Sequence, residues 1–374
     1  MESIMNTKNQ QNKIAFLFPG RDNAPIGGYK IAYEYANRFS STGYEVKLIY
    51  PFCEDIFSKP SNNIFFRLKR YFGFILKWKI PGRLKAGEWF NLSSKVKKVF
   101  VFKLNNFFLR KQLKGFKIVA TAIETAYALN KITFVSNKDK VYFIQDFEKW
   151  NGKTDDDVYN SYKFPLTKIV IAPWLLKEVE KAGETATLIP NGFDFEYFKL
   201  TNPIKERKPY EIAMLYHKDD RKRCIDSINA LKIVKEKIPE LHVTMFGTPE
   251  KPDLPEWFSY YRCPDKENHN KVYNNASIFV AASSLEGFGL TVGEAMICGA
   301  CAVCTDTSGF KMMIEDEKTG LLSPVFDVEK LAQNIIRLIE DNDLRIKLAE
   351  NGNSFIKQFT WENAFALFKS VIEL

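Results

Sequence analysis

An α/β fold of two Rossmann-like, doubly wound parallel-sheet domains is predicted, and three observations carry it. The chain has 374 residues, more than one ordinary core holds, which suits two domains of about 170 residues each. Apolar residues make up 45% of it, ample for buried sheets. Short apolar runs alternate with helical patterns in both halves, as a parallel sheet covered on both faces requires.

Lys13 to Phe18 reads as a first strand, Gly28 to Ser40 as a helix and Glu45 to Tyr50 as a second strand, a βαβ opening. Ile118 to Ala120 follows as a strand, then a helix at Glu124 to Asn130 and strands at Val141 to Ile144 and Lys168 to Ala172. Pro173 to Lys181 suits a helix. Polar Thr201 to Pro209 marks a linker, so the domain boundary is expected after residue 200. The pattern restarts with strands at Glu211 to Leu215, His242 to Phe246, Ile278 to Ala281 and Ala302 to Thr305. Helices near Arg223 to Lys237, Asn268 to Asn274 and Thr291 to Cys298 separate them, and Val328 to Glu340, Leu344 to Lys357 and Trp361 to Glu373 close the chain as helices.

No apolar run approaches the roughly 20 residues that cross a bilayer, and Met1 to Asn12 lacks the apolar stretch of a secretory signal, so a cytoplasmic protein is expected. Six cysteines outside a small secreted framework point to reduced thiols. Cys298, Cys301 and Cys304 have metal-ligand spacing, but the first ends a helix and the others lie on a strand whose side chains alternate, so no metal site is expected there. The charge is uneven. Residues 59–117 hold 16 Lys/Arg against one acid, Glu88, a local +15 within a chain of +9, which leaves −6 elsewhere.

The stretch from Ser284 to Met296 places Glu286 and Glu294 eight residues apart across Gly287-Phe288-Gly289-Leu290. A strand before it and a helix after it put the glycines in a strand-to-helix loop, where backbone N–H groups face anions and open α/β sheets bind ligands. Glu294 is expected in the first helical turn. A solvated Glu286 and a dipole-favouring Glu294 remain the plainer reading. In the setting E-G-F-G-L-x-x-x-E-A-M-x-x-G the pair resembles the signature of the retaining glycosyltransferase group 1 family (family four). Pro190-Asn191-Gly192-Phe193-Asp194 through Phe198 is similar to the same family's P-N-G-x-D-x-x-x-F segment. The resemblance implies the GT-B architecture, two Rossmann-like domains facing each other across a cleft. It also implies a last helix, 359–374, that crosses back to the first domain from a second domain spanning 201–358.

From the resemblance follows a nucleotide-sugar donor, with Glu294 on the ribose hydroxyls and Glu286 beside the transferred sugar. Retention would proceed by front-face departure with the leaving phosphate as base. Lys222 falls on the family's phosphate-binding lysine, in a segment where Leu215-Tyr216 replace the usual Gly-Arg and Arg223 replaces a glycine. Arg221 and Arg223 stay open as substitutes for the missing arginine. Gly27-Gly28 resembles the family's N-terminal glycine loop near the sugar, or is an ordinary turn into a helix. Met312 stands near where relatives often carry a glutamate. All three histidines lie in the second half, so Asp146, after Gln145, takes the plausible acceptor-side place, either orienting an acceptor hydroxyl or capping the next turn. Asp155-Asp156-Asp157 suits a solvated helix start better than a metal, and no cofactor is expected, since the family usually needs no metal.

Thirteen aromatics interleave with the cations of residues 59–117, a composition that suits an anionic membrane surface. Arg67 to Trp78 is the candidate interfacial helix. A basic surface over an ordinary core is the plain alternative, and nucleic acid is not expected as a partner. The acceptor expected is a cell-envelope glycan or lipid-linked molecule, handled at the inner face of the membrane. A non-catalytic membrane scaffold and a nucleotide-sugar epimerase are the competing functions.

Overall fold

The computed structural model describes residues 12–22, 25–52, 69, 71–73, 75–76, 84–150 and 152–374. The chain divides into two compact units, Met1–Ile189 with Phe365–Leu374, and Pro190–Ala364. The first division falls before the polar linker, and Phe193 of the Pro-Asn-Gly segment donates its N–H to the Phe359 carbonyl within the second unit.

Unit 1 opens with β1 (Lys13–Leu17), α1 (Gly27–Ser41) and β2 (Glu45–Pro51). It continues with β3 (Lys97–Val101), α2 (Asn106–Leu113), β4 (Lys117–Ala120), α3 (Ile123–Asn130) and β5 (Lys140–Ile144), and closes with α4 (Asp155–Tyr162), β6 (Thr167–Val170), α5 (Pro173–Lys181) and β7 (Thr187–Leu188). Its seven strands run in the order β3-β2-β1-β4-β5-β6-β7, every pair parallel. The order reverses between β1 and β4, which leaves a crevice at their carboxyl ends. β5 is buried along its whole length, as a strand covered on both faces must be. Both β3 and α2 arise inside the basic segment, where the run of cations hid their periodicity.

Unit 2 holds β8 (Glu211–Tyr216), α6 (Cys224–Lys237), β9 (His242–Gly247), β10 (Phe258–Arg262), α7 (Lys266–Asn275), β11 (Ile278–Ala281), α8 (Leu290–Ile297), β12 (Cys301–Thr305) and β13 (Gly320–Ser323), followed by α9 (Val328–Glu340) and α10 (Asn342–Ile356). Its six parallel strands are ordered β10-β9-β8-β11-β12-β13, with the reversal between β8 and β11. Met214, Val243, Val280 and Val303 from the strands meet Leu231 of α6 and Ile335 of α9 in one core. Asp265, Asp327 and Asp341 cap α7, α9 and α10 by accepting the backbone N–H three residues on. The last helix, α11 (Trp361–Glu373), begins in unit 2 and ends in unit 1, where Phe368 packs 4.2 Å from the Tyr35 ring and 5.3 Å from that of Phe143.

Asp155, Asp156 and Asp157 form the first turn of α4, with Asp157 and Thr154 closing a capping box. Cys298, Cys301 and Cys304 are buried, and burial pushes the thiols of Cys298 and Cys301 up to about 12. Among the described residues no cluster of three or more His, Cys, Asp or Glu is placed to hold a metal ion, and no helix is long and apolar enough to cross a membrane. Half of the Arg67 to Trp78 stretch lies outside the described residues; within it Lys69, Tyr71–Gly73 and Ile75–Leu76 are helical, with Phe72 and Leu76 exposed.

Candidate active site

The switch point of unit 2 gathers residues from the loops that follow β8 and β11. After β8 the chain makes a 3₁₀ turn at Asp220–Lys222, capped by Asp219, whose carboxylate accepts the Arg221 N–H at 3.0 Å. Arg223 then enters the left-handed region (φ +46°) to start α6. This explains the glycine expected there, since a left-handed backbone is one that glycine adopts without strain. Arg221 is paired with Asp219 at 2.7 Å and Arg223 with Asp226 at 2.7 Å. Each open substitute for the missing arginine is therefore bound to a nearby carboxylate, Arg221 to one in its own loop and Arg223 to one in the first turn of α6.

Lys222 does otherwise. Its Nζ lies 2.7 Å from Glu286 Oε2, in the loop after β11, and both side chains are partly buried, 26% and 12% exposed. Ser283 Oγ donates to the same oxygen at 3.2 Å. The Ser284 N–H donates to the Arg221 carbonyl at 2.8 Å, which fixes the two loops against each other. A third loop, after β12, packs on them: a Cβ on Gly309 would lie 2.2 Å from the Glu286 carbonyl oxygen. Met312 ends the short 3₁₀ turn that follows that glycine.

Glu294 lies in the second turn of α8, not the first, because left-handed Gly289 (φ +91°) starts the helix at Leu290. It is 4% exposed and accepts from Tyr273 Oη at 3.1 Å. Burial, followed by the Glu294 charge, pushes the Tyr273 hydroxyl well above its usual range, so it stays protonated and donates. A buried, hydrogen-bonded carboxylate is more than a helix-dipole ornament. Phe288 is 3% exposed, with its ring 5.9 Å from Phe193 and 6.0 Å from Phe359, so only its backbone is available to a ligand. Gly287 precedes it in the loop, and Leu290 is the first residue of α8.

Unit 1 holds the remaining expected residues at its own switch point. Gly27 and Gly28 are the first two residues of α1. Gln145 Nε2 donates to the Gly28 carbonyl at 3.3 Å and lies 3.5 Å from the Thr121 carbonyl. Asp146 is half-buried and accepts the N–H of Phe147 at 2.8 Å.

Three site features escaped the sequence reading. Tyr273 contacts Glu294 across 21 residues and two helices, a pairing no local pattern announces. His217 follows β8; its Nδ1 accepts the Asp219 N–H at 3.0 Å, and burial, then Lys222, lowers its pKa, which keeps it neutral near pH 7. A groove of about 870 Å³ opens beside the same turn, lined by Tyr216, Asp220, Arg223, Ile228, Pro252 and Leu254 among others.

Residues 200–355 match the family model of the glycosyl transferases group 1. The matched stretch lies within the second unit. The phosphatidyl-myo-inositol mannosyltransferase of Mycolicibacterium smegmatis is 24% identical over 213 residues, 52% of this chain and 54% of that protein. The O-antigen chain mannosyltransferase B of Escherichia coli is 33% identical over 107 residues, 29% of this chain and 28% of that one. The chain thus spans about half the length of the first relative and less of the second. HepE of Anabaena, solved with UDP and glucose, superposes with a TM-score of 0.71 at 16% identity, covering 97% of this chain and 99% of that one. The two parallel-sheet units are those of the GT-B fold. Within the group 1 domain, Glu286, Glu294 and Lys222 stand at the carboxyl ends of the strands, and the lysine's three donors can hold Glu286 and an incoming anion together.

Proposed function

We propose that this protein is a retaining glycosyltransferase that moves a sugar from a nucleotide-sugar donor to a cell-envelope glycan or lipid-linked acceptor. The observation that carries the reading is the Lys222–Glu286 pair, 2.7 Å apart at a sheet switch point, with buried Glu294 on the helix that follows. Lys222 and the N–H groups of the Gly287 to Leu290 loop hold the diphosphate, where charge grows as the glycosidic bond breaks. Glu294, oriented by Tyr273, takes the ribose hydroxyls, and Glu286 faces the sugar. The resemblance assigns Gly27 and Gly28 to donor binding beside the sugar and Asp146 to an acceptor hydroxyl. The relatives named as mannosyltransferases and the UDP and glucose bound by HepE support a nucleotide-sugar donor.

The basic segment supports an acceptor handled at the inner face of the membrane. On α2, Leu109 and Leu113 are buried while Phe107 is 82% exposed beside exposed Arg110, Lys111 and Lys114, an apolar tip within a cationic ring. Each cation near an anionic leaflet contributes about 1 kcal/mol. Flotation with phosphatidylglycerol and phosphatidylcholine vesicles tests this, and absence of anionic-lipid binding at low salt removes the membrane from the proposal.

Thermal-shift measurements against UDP-, GDP-, ADP- and dTDP-sugars test the donor. One nucleotide family raising Tm selects it, and NMR of the product's anomeric configuration then decides retention. No shift with any of them would sink the enzymatic reading.

A further inference from the structure

In unit 1 a buried ionisable cluster lies under the acceptor-side loop. Helix α3 begins after Ala122, which has no side-chain acceptor to cap it. The missing acceptor comes from elsewhere: Glu148, 3% exposed, takes the Ile123 N–H on Oε2, and the same oxygen accepts from Tyr142 Oη at 3.1 Å. One residue further along α3, Glu124 is buried and bonded by Lys153, whose ammonium also donates to the Trp150 carbonyl at 3.1 Å. The second oxygen of Glu124 and the hydroxyl of Tyr162 are buried without a hydrogen-bond partner. Two anchors, Glu148 and Lys153, thus tie the chain after β5 to the first turn of α3.

Between β5 and those anchors lie Gln145, which reaches the Thr121 and Gly28 carbonyls, and Asp146. We propose that Glu148 is the positioning residue of the acceptor side, clamping the loop that carries Gln145 and Asp146 onto the β4–α3 turn and through Gln145 onto Gly28. The proposal rests on the glycosyltransferase reading only for the word acceptor; the clamp itself is a statement about unit 1.

The cluster's charge supports it. Facing Glu148 are Glu124 with Lys153 from the α3 side, Tyr142 from β5, Tyr162 from α4 and Asp146 from its own loop. Burial first, then the charge of Glu124, raises the Glu148 carboxyl well above the ordinary carboxylate range. Burial thus favours its neutral form. With a folded-state pKa above the unfolded one, its contribution is full at low pH and declines as pH rises through the folded value.

Hydrogen exchange by mass spectrometry, corrected for intrinsic rates, tests the clamp on the full chain with Glu148→Ala and Glu148→Gln. Alanine is expected to speed exchange about tenfold in residues 121–125 and also in residues 26–32, the scale of one lost buried hydrogen bond. Glutamine keeps an acceptor for Ile123 and is expected to restore both segments. Wild-type protection should decline toward alkaline pH, and the glutamine variant's should not. UDP affinity by calorimetry should be unchanged in both, since the groups proposed for the nucleotide itself, Lys222 and Glu294, belong to unit 2. The proposal is overturned if glutamine loosens the loop as alanine does, if residues 26–32 stay protected when 121–125 open, or if UDP affinity falls. Absence of wild-type turnover with UDP-glucose and the other donor probes would count against the glycosyltransferase reading and leave the exchange result to decide the clamp.

Discussion

Adding one methyl group at Gly309 should uncouple activity from stability. A Cβ there would lie 2.2 Å from the Glu286 carbonyl oxygen, 2.7 Å from its carbonyl carbon and 3.0 Å from its Cβ. Carbon and oxygen need more than 3 Å, so Gly309→Ala must open this contact by about 1 Å, and the atoms that yield are backbone, not a pliable side chain. Overpacking of this kind costs about 1–3 kcal/mol. For a unit of this size that lowers Tm by about 2–12 °C. The displaced residue is the one paired with Lys222, and a misplacement of about 1 Å in a reacting group lowers rate about 100-fold. Gly320→Ala is the control. Its Cβ would lie 2.6 Å from the Ala302 carbonyl in the neighbouring strand, the same kind of clash away from the Glu286 loop. Tm by calorimetry and initial rates with the donor selected by thermal shift separate the two. Both variants should lose similar Tm, and only Gly309→Ala should lose about two orders of magnitude in kcat. Equal kcat in the two variants would show that Glu286 is not where the chemistry depends on sub-ångström placement.

Glu286→Gln, nearly isosteric, should abolish turnover while Tm stays within about 2 °C, because the pair it breaks is partly exposed. Tyr273→Phe removes the hydroxyl on Glu294 and should weaken UDP binding about fivefold by calorimetry, the scale of one neutral donor to a carboxylate. Lys222→Met should weaken UDP binding at least about tenfold and flatten its salt dependence. At pH 8 iodoacetamide should label exposed Cys263 and spare Cys298 and Cys301, whose thiols titrate near 12; peptide mass spectrometry of the folded protein reads this directly. Rapid labelling of Cys301 would mean that β12 is not buried as described.

Legibility followed the range of the interactions. Strands β1, β2, β5, β8, β9 and β11 are apolar runs bounded by turn residues, and local sequence suffices for them. β10 reads Phe-Ser-Tyr-Tyr-Arg and sits at a sheet edge, where half its side chains meet solvent and the apolar signal thins. β13, at the other edge, is four residues long and begins with glycine. At the site, Lys222 and Glu286 were recognisable one at a time, each in a loop after a strand. Their 2.7 Å contact was not, because 64 residues separate them and only the reversal of strand order between β8 and β11 makes the two loops neighbours. The same holds for Tyr273 and for the clamp from Glu148 to Ile123, 25 residues apart.

The Pro-Asn-Gly segment packs against the helix that bears Glu294. Phe193 packs under α8 so closely that a Cβ on Gly293 would meet its ring at 2.1 Å, and the Phe193 N–H donates to the Phe359 carbonyl at 2.9 Å. Gly192 lies against the Trp361 backbone, 2.6 Å from where a Cβ would stand. The segment therefore packs against both the helix that bears Glu294 and the start of α11. Glycine at 293 is what lets the phenylalanine approach, and the phenylalanine packs against the helix that carries Glu294. Enlarging either partner should act through Glu294: Gly293→Ala is expected to raise the Kd for UDP while leaving the Lys222–Glu286 contact in place. Loss of that ion pair in a crystal structure of the variant, with UDP affinity intact, would reverse the assignment of support and show the segment serving the sugar end of the site instead.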